Sequence, residues 1–361
     1  MKKIPVTIIT GFLGAGKTTF LNRLIRTFPE KKFAIIENEF GETMIDSELV
    51  VGVDDGIYEL ANGCVCCTLN KALAEVLHKL ISAPGRKPDH ILLETTGIAD
   101  PGSVALSFLA DSEIAAYFEV DGIVTLADCR YIEQQLEREA VAVRQVALAD
   151  MVVLTKTDLA DPYIVEAARN IMKRMNPAAR QWNADLTTIP DADILHSRSF
   201  SAQKALSEGG FSGSRPEGFR LAPESGRRSE ISKFASGSLH ASVSSLSFEF
   251  SEPLDPIRFT IFLRFLLNEN DMEIFRIKGI LYFWSTEHKV ILQGVNKEFL
   301  TESGGEWLEG EERRSRLVVI GNRLSEAMIE KGLACCRTRE AFDPAKFYEE
   351  LKAIGEERVG E

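Results

Sequence analysis

The stretch "VTIITGFLGAGKTTFLNRL", Val6 to Leu24, passes from a β-branched apolar run through a glycine-rich turn into an amphipathic helical pattern. Its centre, Gly11 to Thr18, fits G-x-x-x-x-G-K-[ST], and it stands between a buried strand and a helix, the context this pattern needs to hold phosphate. In that geometry the backbone N–H groups around Gly14, Ala15 and Gly16 form an anion nest at a helix N-terminus. Lys17 then reaches the β/γ-phosphates and Thr18 ligates Mg²⁺, with Gly11 and Thr19 at the two ends of the cradle. The alternative, a glycine-rich turn that matches by accident, is disfavoured by the strand and helix on either side.

The same texture continues outward. "KFAIIE" (32–37), "HILLET" (90–95), "DGIVTLA" (121–127) and "DMVVLT" (150–155) are continuous apolar runs of the kind buried on both faces of a parallel sheet. Helix-length amphipathic segments lie between strands, as in "TTFLNRLIRTF" (18–28), "LNKALAEVLHKLI" (69–81) and "YIVEAARNIMKRM" (163–175). The pattern predicts an α/β fold: a mostly parallel P-loop NTPase sheet wrapped by helices over residues 1–200. Residues 201–244 turn to Ser, Gly, Arg and Glu and read as a flexible linker. A smaller C-terminal α+β domain is expected over 245–355, with strands at 245–250, 274–284, 289–295 and 315–321 and helices at 255–267 and 322–332.

Two further strand ends carry chemistry. "VVLTKTDL" sets Thr155, Lys156 and Asp158 at the end of a buried strand, from which a loop reaches the base in a doubly wound sheet. A carboxylate there accepts from guanine N1–H and the exocyclic amine, a donor pair adenine lacks, so Asp158 favours GTP; an N-cap for the following helix is the competing role. "ILLETTG" (91–97) ends in Glu94, placed to hold Mg²⁺ through water, and turns at Gly97, where backbone can approach the γ-phosphate. Lys17, Thr18 and Glu94 are the candidate catalytic residues.

Composition excludes several classes. The chain has 361 residues, 45% hydrophobic and 27% charged, with a formal net charge of −12. That acidity argues against broad nucleic-acid binding, and no apolar run reaches the roughly 18 to 20 residues of a membrane span. The apolar start is broken by Thr7, Thr10 and Gly11 and lacks a secretory cleavage site, so a cytoplasmic protein is expected. Under that expectation "NGCVCCTLN" (62–70) is notable, because reduced clustered thiols suggest metal or redox chemistry rather than disulfides. Thiolates at Cys64, Cys66 and Cys67 suit Zn²⁺, Cu(I) or Fe if the backbone curls around one ion, which Asn62-Gly63 makes easy. Core packing and a redox pair are the competing readings; a transferable metal site is preferred. Cys129 is assigned to packing, Cys335 and Cys336 are either a second metal site or, the preferred reading, unremarkable adjacent thiols near a helix end, and no two of the five histidines are placed for joint ligation.

Several motifs in order, "GFLGAGKTT", "ENEFGE" (37–42), "GCVCC" (63–67), "ETTGIADP" (94–101), "TKTD", "KGILYF", "LQGV" and "RLVVIG", resemble a GTPase of the CobW family, the metallochaperone branch of the SIMIBI P-loop GTPases. The resemblance implies GTP hydrolysis with GTP/GDP and Mg²⁺, and carriage of a transition metal, Zn²⁺ most often and Co²⁺ or Fe²⁺ in some members, to a client metalloprotein or apo-enzyme. It also offers Glu37 and Glu42 as further metal ligands. Two departures, a linker with only His240 and Asn296 where a histidine is common, favour one exchangeable site over metal buffering. A two-state switch is expected in which GTP orders Glu37 to Asp46 and the adjoining cysteine loop, with Glu39 and Asp46 as candidates for activating water. A metalloenzyme-remodelling maturation factor and an ordinary phosphotransferase are the alternative functions.

Overall fold

The computed structural model describes residues 3–37, 57–59, 67–82, 87–183, 194–195, 243–269, 271–308 and 310–356. Strand β1, Ile4–Gly11, is buried in all but its first residue. It lies at the centre of a seven-stranded sheet of order β3-β2-β4-β1-β5-β6-β7. The other strands are β2 (Phe33–Glu37), β3 (Ile57–Glu59), β4 (His90–Glu94), β5 (Phe118–Asp128), β6 (Met151–Thr155) and β7 (Arg180–Asn183). Every pairing among them is parallel.

Continuous apolar runs are explained by burial on both faces. Ile8 and Leu93 join one core with the helices α2 (Cys67–Ser82), α3 (Pro101–Ala110), α6 (Ala140–Leu148) and α7 (Pro162–Met175). Their chain neighbours Ile9 and Leu92 face the other way, onto Phe20, Leu21 and Leu24 of α1 (Lys17–Thr27). Alternate residues therefore serve opposite layers. The short helices α4 (Ser112–Tyr117) and α5 (Ile132–Arg138) complete the described part of this unit.

Helix starts follow one repeated piece of chemistry. Asp-Pro opens α3 at 100–101, α7 at 161–162, α8 (Pro256–Asn268) at 255–256 and α10 (Pro344–Glu356) at 343–344. In each the aspartate carboxylate accepts from the N–H two residues on, at 2.8 to 2.9 Å. Proline sits where the missing N–H is not needed, and the carboxylate meets the positive helix end.

The second unit is an antiparallel five-stranded sheet of order β11-β10-β9-β12-β8. Its strands are β8 (Val243–Phe250), β9 (Glu273–Leu281), β10 (His288–Val295), β11 (Glu298–Glu306) and β12 (Ser315–Asn322). One face carries α8, α9 (Glu326–Cys335) and α10 over a Phe-rich core that includes Phe259, Phe262 and Phe347. The other face docks on the first unit, because Phe275, Val295, Val318 and Ile320 belong to the same apolar cluster as Val146 and Leu148 of α6 and Met172 of α7.

Most expected elements are present. The helix expected at 322–332 lies at Glu326–Cys335, since Ser325 caps it by accepting from the Met328 N–H at 3.4 Å while Asn322 still belongs to β12. The strand expected over 274–284 ends at Leu281. Helices α3, α4, α5, α6 and α10 and strands β3, β7 and β11 were not anticipated. Most of the expected linker, and the residues Glu39, Glu42, Asp46, Cys64 and Cys66, lie outside the described residues.

Candidate functional site

The P-loop joins β1 to α1 at the C-terminal edge of the sheet, between β4 and β5, where a doubly wound sheet opens a crevice. Gly14 and Gly16 take positive φ of 76° and 92°, and Gly16 is the residue before the first turn of α1. Such angles are easy only for glycine and turn successive N–H groups to one side. Ala15 is buried, Lys17 is 8% exposed, and Thr19 faces outward.

The downstream motifs close on this loop. Thr155 Oγ1 donates to the Ala15 carbonyl at 2.9 Å, and Lys156 Nζ donates to the Gly14 carbonyl at 2.7 Å. Both P-loop carbonyls are thereby drawn toward β6, which leaves the opposite side of the loop for an anion. Thr18 Oγ1 donates to Glu94 Oε1 at 3.1 Å. Gly97 presses on the P-loop so closely that a β-carbon there would lie 2.6 Å from the Leu13 nitrogen. The Thr96 hydroxyl is buried with no protein partner among the described residues, a polar group left over for a ligand or water.

What holds these residues in place lies outside the motifs themselves. Asp128, at the end of β5 and level with Thr155, is 3% exposed. Its carboxylate accepts from Arg130 Nε at 3.0 Å and Nη2 at 2.9 Å and pairs with Lys156 Nζ at 3.0 Å. Burial opposes its ionisation, yet Arg130 and Lys156 hold its carboxyl below the usual range. Lys156 itself has φ of 58°, an unusual angle for a non-glycine residue. An acid closing the apolar run "IVTLAD" was the available signal. Asp158 is exposed on a single turn at Thr157–Leu159, and the N-cap of α7 is Asp161 instead, so the capping role weighed for Asp158 is filled elsewhere. Cys129 is buried behind this turn, and its thiol pKa is raised by burial.

Of the metal candidates, Glu37 ends β2, and Cys67 is the first residue of α2. The register makes Glu37 the Cα partner of Glu94 on one side and of Glu59 on the other. Three glutamates thus form one row across neighbouring strand ends. Cys336 is buried and donates to the Gly332 carbonyl at 3.2 Å, while Cys335 is half-buried; burial raises both thiols.

Comparison with known proteins agrees with this architecture. The CobW/HypB/UreG nucleotide-binding domain model matches residues 5–183, and the cobalamin synthesis protein cobW C-terminal domain model matches 243–337. The zinc chaperone CobW of Pseudomonas aeruginosa is 30% identical over 365 residues, covering 92% of this chain and 91% of that one. The chain belongs to the CobW family. Another relative, the zinc chaperone YjiA of Escherichia coli, is 29% identical over 341 residues, covering 93% of this chain and all (100%) of that protein. The crystal structure of zinc-bound YjiA GTPase superimposes with a TM-score of 0.69 at 26% identity, covering 94% of this chain and 100% of that one. Within this CobW-family chain no described helix is long and apolar enough to cross a membrane.

Proposed function

We propose that this protein is a GTP-hydrolysing metallochaperone that takes up a transition metal, zinc first, and hands it to a client metalloprotein or apo-enzyme under nucleotide control. The cargo site is built from Cys64, Cys66 and Cys67, with Glu37 and Glu42 as oxygen donors. One observation carries the reading: Glu37, a metal candidate, is the register partner of Glu94, and Glu94 accepts from Thr18 of the P-loop. Adjacent parallel strands lie about 4.8 Å apart, so a change at the nucleotide is one strand away from a cargo ligand. The zinc-chaperone names of relatives that match nearly the whole chain support the same cargo.

The chain's own residues suit a guanine nucleotide. The glycine angles and the carbonyls tied back by Thr155 and Lys156 turn N–H groups toward the phosphates. Lys17 brings a cation to the β/γ-phosphates, and Asp158 is the acceptor for guanine's two donors. Mg²⁺, held by Thr18 and through water by Glu94, would neutralise charge that develops on the phosphate oxygens. Gly97 supplies a backbone N–H near the transferred phosphoryl group, where a preformed donor acts without reorganisation.

The test is zinc competition against a chromophoric chelator under reducing conditions, with GDP or a non-hydrolysable GTP analogue bound, beside GTP turnover. Nucleotide control predicts a change in zinc affinity worth about 1 to 3 kcal/mol, and by linkage an equal change in nucleotide affinity when zinc is added. Replacing Cys66 and Cys67 by Ser should remove it. Equal zinc affinity in both states rejects nucleotide control, and absence of turnover rejects the GTPase assignment.

A further inference from the structure

The segment that follows Glu94 is gripped from outside the nucleotide crevice. Gln145 of α6 is 1% exposed, and its Nε2 donates to the carbonyls of Gly97 at 3.1 Å and Ala99 at 3.3 Å. Its chain neighbour Arg144 pairs with Asp100 at 3.2 Å, and Asp100 at the same time caps α3 by accepting from the Gly102 N–H at 2.9 Å. The Arg144 guanidinium also pairs with Glu273, the first residue of β9, and lies 5.7 Å from the Phe275 ring centroid. A second contact comes from Asn296, just beyond β10: a β-carbon on Gly102 would lie 2.8 Å from its Nδ2. The second unit therefore meets one short path, Gly97 to Gly102, directly at its far end through Asn296 and, by way of Arg144, at Asp100.

We propose that Arg144 is a positioning residue that links the second domain to Gly97, so that whatever engages or frees Glu273 sets the rate of nucleotide turnover. Gly97 has no room to move toward Leu13, and it cannot move away without breaking the Gln145 bonds. Asp100 cannot shift without disturbing the cap of α3. Displacement of this segment is thus transmitted to α6 and from there to the Arg144–Glu273 pair. Arg144 is 37% and Glu273 42% exposed, so this pair contributes little to stability and is easily exchanged. That separates it from the buried charges nearby and suits a contact that a client bound to the second domain could release. Coupling of this kind is reciprocal for binding, so a partner drawn to Glu273 would also alter nucleotide affinity. The role of Arg144 in turnover rests on the GTPase reading above.

The experiment is hydrogen exchange on the full chain with GDP or a non-hydrolysable GTP analogue, together with steady-state GTP hydrolysis, for wild type, Arg144→Met, Arg144→Lys and Glu273→Gln. Wild type should show a nucleotide-dependent difference in peptides covering 94–101 and also in those covering 271–277. In Arg144→Met the first difference should remain and the second should fall by more than half. kcat should change at least threefold in Arg144→Met and Glu273→Gln with KM for GTP within twofold, the double variant should match either single one, and Arg144→Lys should recover part of the effect. A merely structural pair would shift the unfolding midpoint and leave these readouts alone. Unchanged kcat in both single variants, or a nucleotide difference at 271–277 that is absent in wild type or persists in Arg144→Met, overturns the proposal. If wild type does not hydrolyse GTP, the activity reading fails instead, and the exchange arm, which needs only bound nucleotide, still decides whether Arg144 is the link.

Discussion

Arg276 of the second domain donates to Asp150 of the first across 2.6 Å, and both side chains are 2% exposed. The same guanidinium donates to the Leu148 carbonyl at 2.6 Å, Lys278 reaches the same carboxylate oxygen, and the Ile123 N–H donates to the other at 2.9 Å. Burial opposes the charge on Asp150, but the two cations outweigh it and hold its carboxyl below the usual range. Removing one member of such a pair strands the others in a dry interface, a loss of about 3 to 5 kcal/mol. Asp150→Ala should therefore destabilise the docked domains by about 3 kcal/mol or more, read as a lower urea midpoint with the two domains unfolding separately. An unchanged midpoint would show that the interface rests on its apolar contacts alone.

Lys278 makes a prediction of opposite sign. Burial first, and then the Arg276 charge, move its pKa from 10.5 down to about 8, with Arg180 acting in the same direction and Asp150 against it. For a base depressed on folding, the unfolded chain still holds a proton between about pH 8 and 10.5 that the folded chain has released, so stability rises with pH through that window. Below pH 8 both states are protonated and the cost of the surplus, partly buried cation is constant. Lys278→Met, which leaves Asp150 and Arg276 paired, should raise the urea midpoint at pH 7, and this advantage should shrink as pH approaches 10. A variant less stable than wild type at pH 7 would mean that Asp150 needs both cations.

Gly97 is required by proximity rather than by its φ angle. A β-carbon would meet the Leu13 nitrogen at 2.6 Å and its Cα at 2.9 Å, and both are backbone atoms that cannot swing aside. Gly97→Ala should push the segment off the P-loop and lower kcat for GTP hydrolysis by at least about tenfold, since misplacement by 1 Å can have larger effects. GDP affinity should change little, because GDP lacks the γ-phosphate that this segment is proposed to approach. Loss of GDP binding as well would point to collapse of the P-loop.

The nucleotide crevice was legible because its chemistry is local in sequence. A glycine pattern, a buried strand and a helix determine the P-loop within residues 4–27, and "TKTD" and "ETTG" stand at the ends of runs whose burial on two faces leaves no other strand assignment. Interdomain chemistry was not legible. In "EIFRIKGIL" the alternation of Arg276 and Lys278 with Ile277 and Gly279 reads as a strand with one face in water, yet that face meets Asp150. Only the fold shows that Asp150, 126 positions from Arg276 and immediately before β6, lies at the same place. Helices α3 and α6 were missed for a related reason: "PGSVALSFLA" and "AVAVRQVAL" are buried on several sides, so their apolar residues lack a one-sided helical period. Asp-Pro was the overlooked start signal for α3.

Asp128 and Asp158 should be separable by what they do to base choice. Asp158 is the proposed acceptor for guanine N1–H and the exocyclic amine, whereas Asp128 pairs with Lys156, which in turn donates to the Gly14 carbonyl. Asp158→Asn replaces an acceptor by an amide that can donate, so GTP affinity should fall by about tenfold or more, a few kcal/mol at most, and xanthosine triphosphate, which carries a carbonyl in place of the amine, should gain. Asp128→Asn should weaken GTP and xanthosine triphosphate together, by roughly threefold to tenfold, as expected from one loosened charge-assisted contact. The measurement is competition of each nucleotide against a fluorescent GDP analogue on both variants. If Asp128→Asn changed the ratio of the two affinities while Asp158→Asn did not, base recognition would lie with the β5 end of the crevice and the assignment of Asp158 would be wrong.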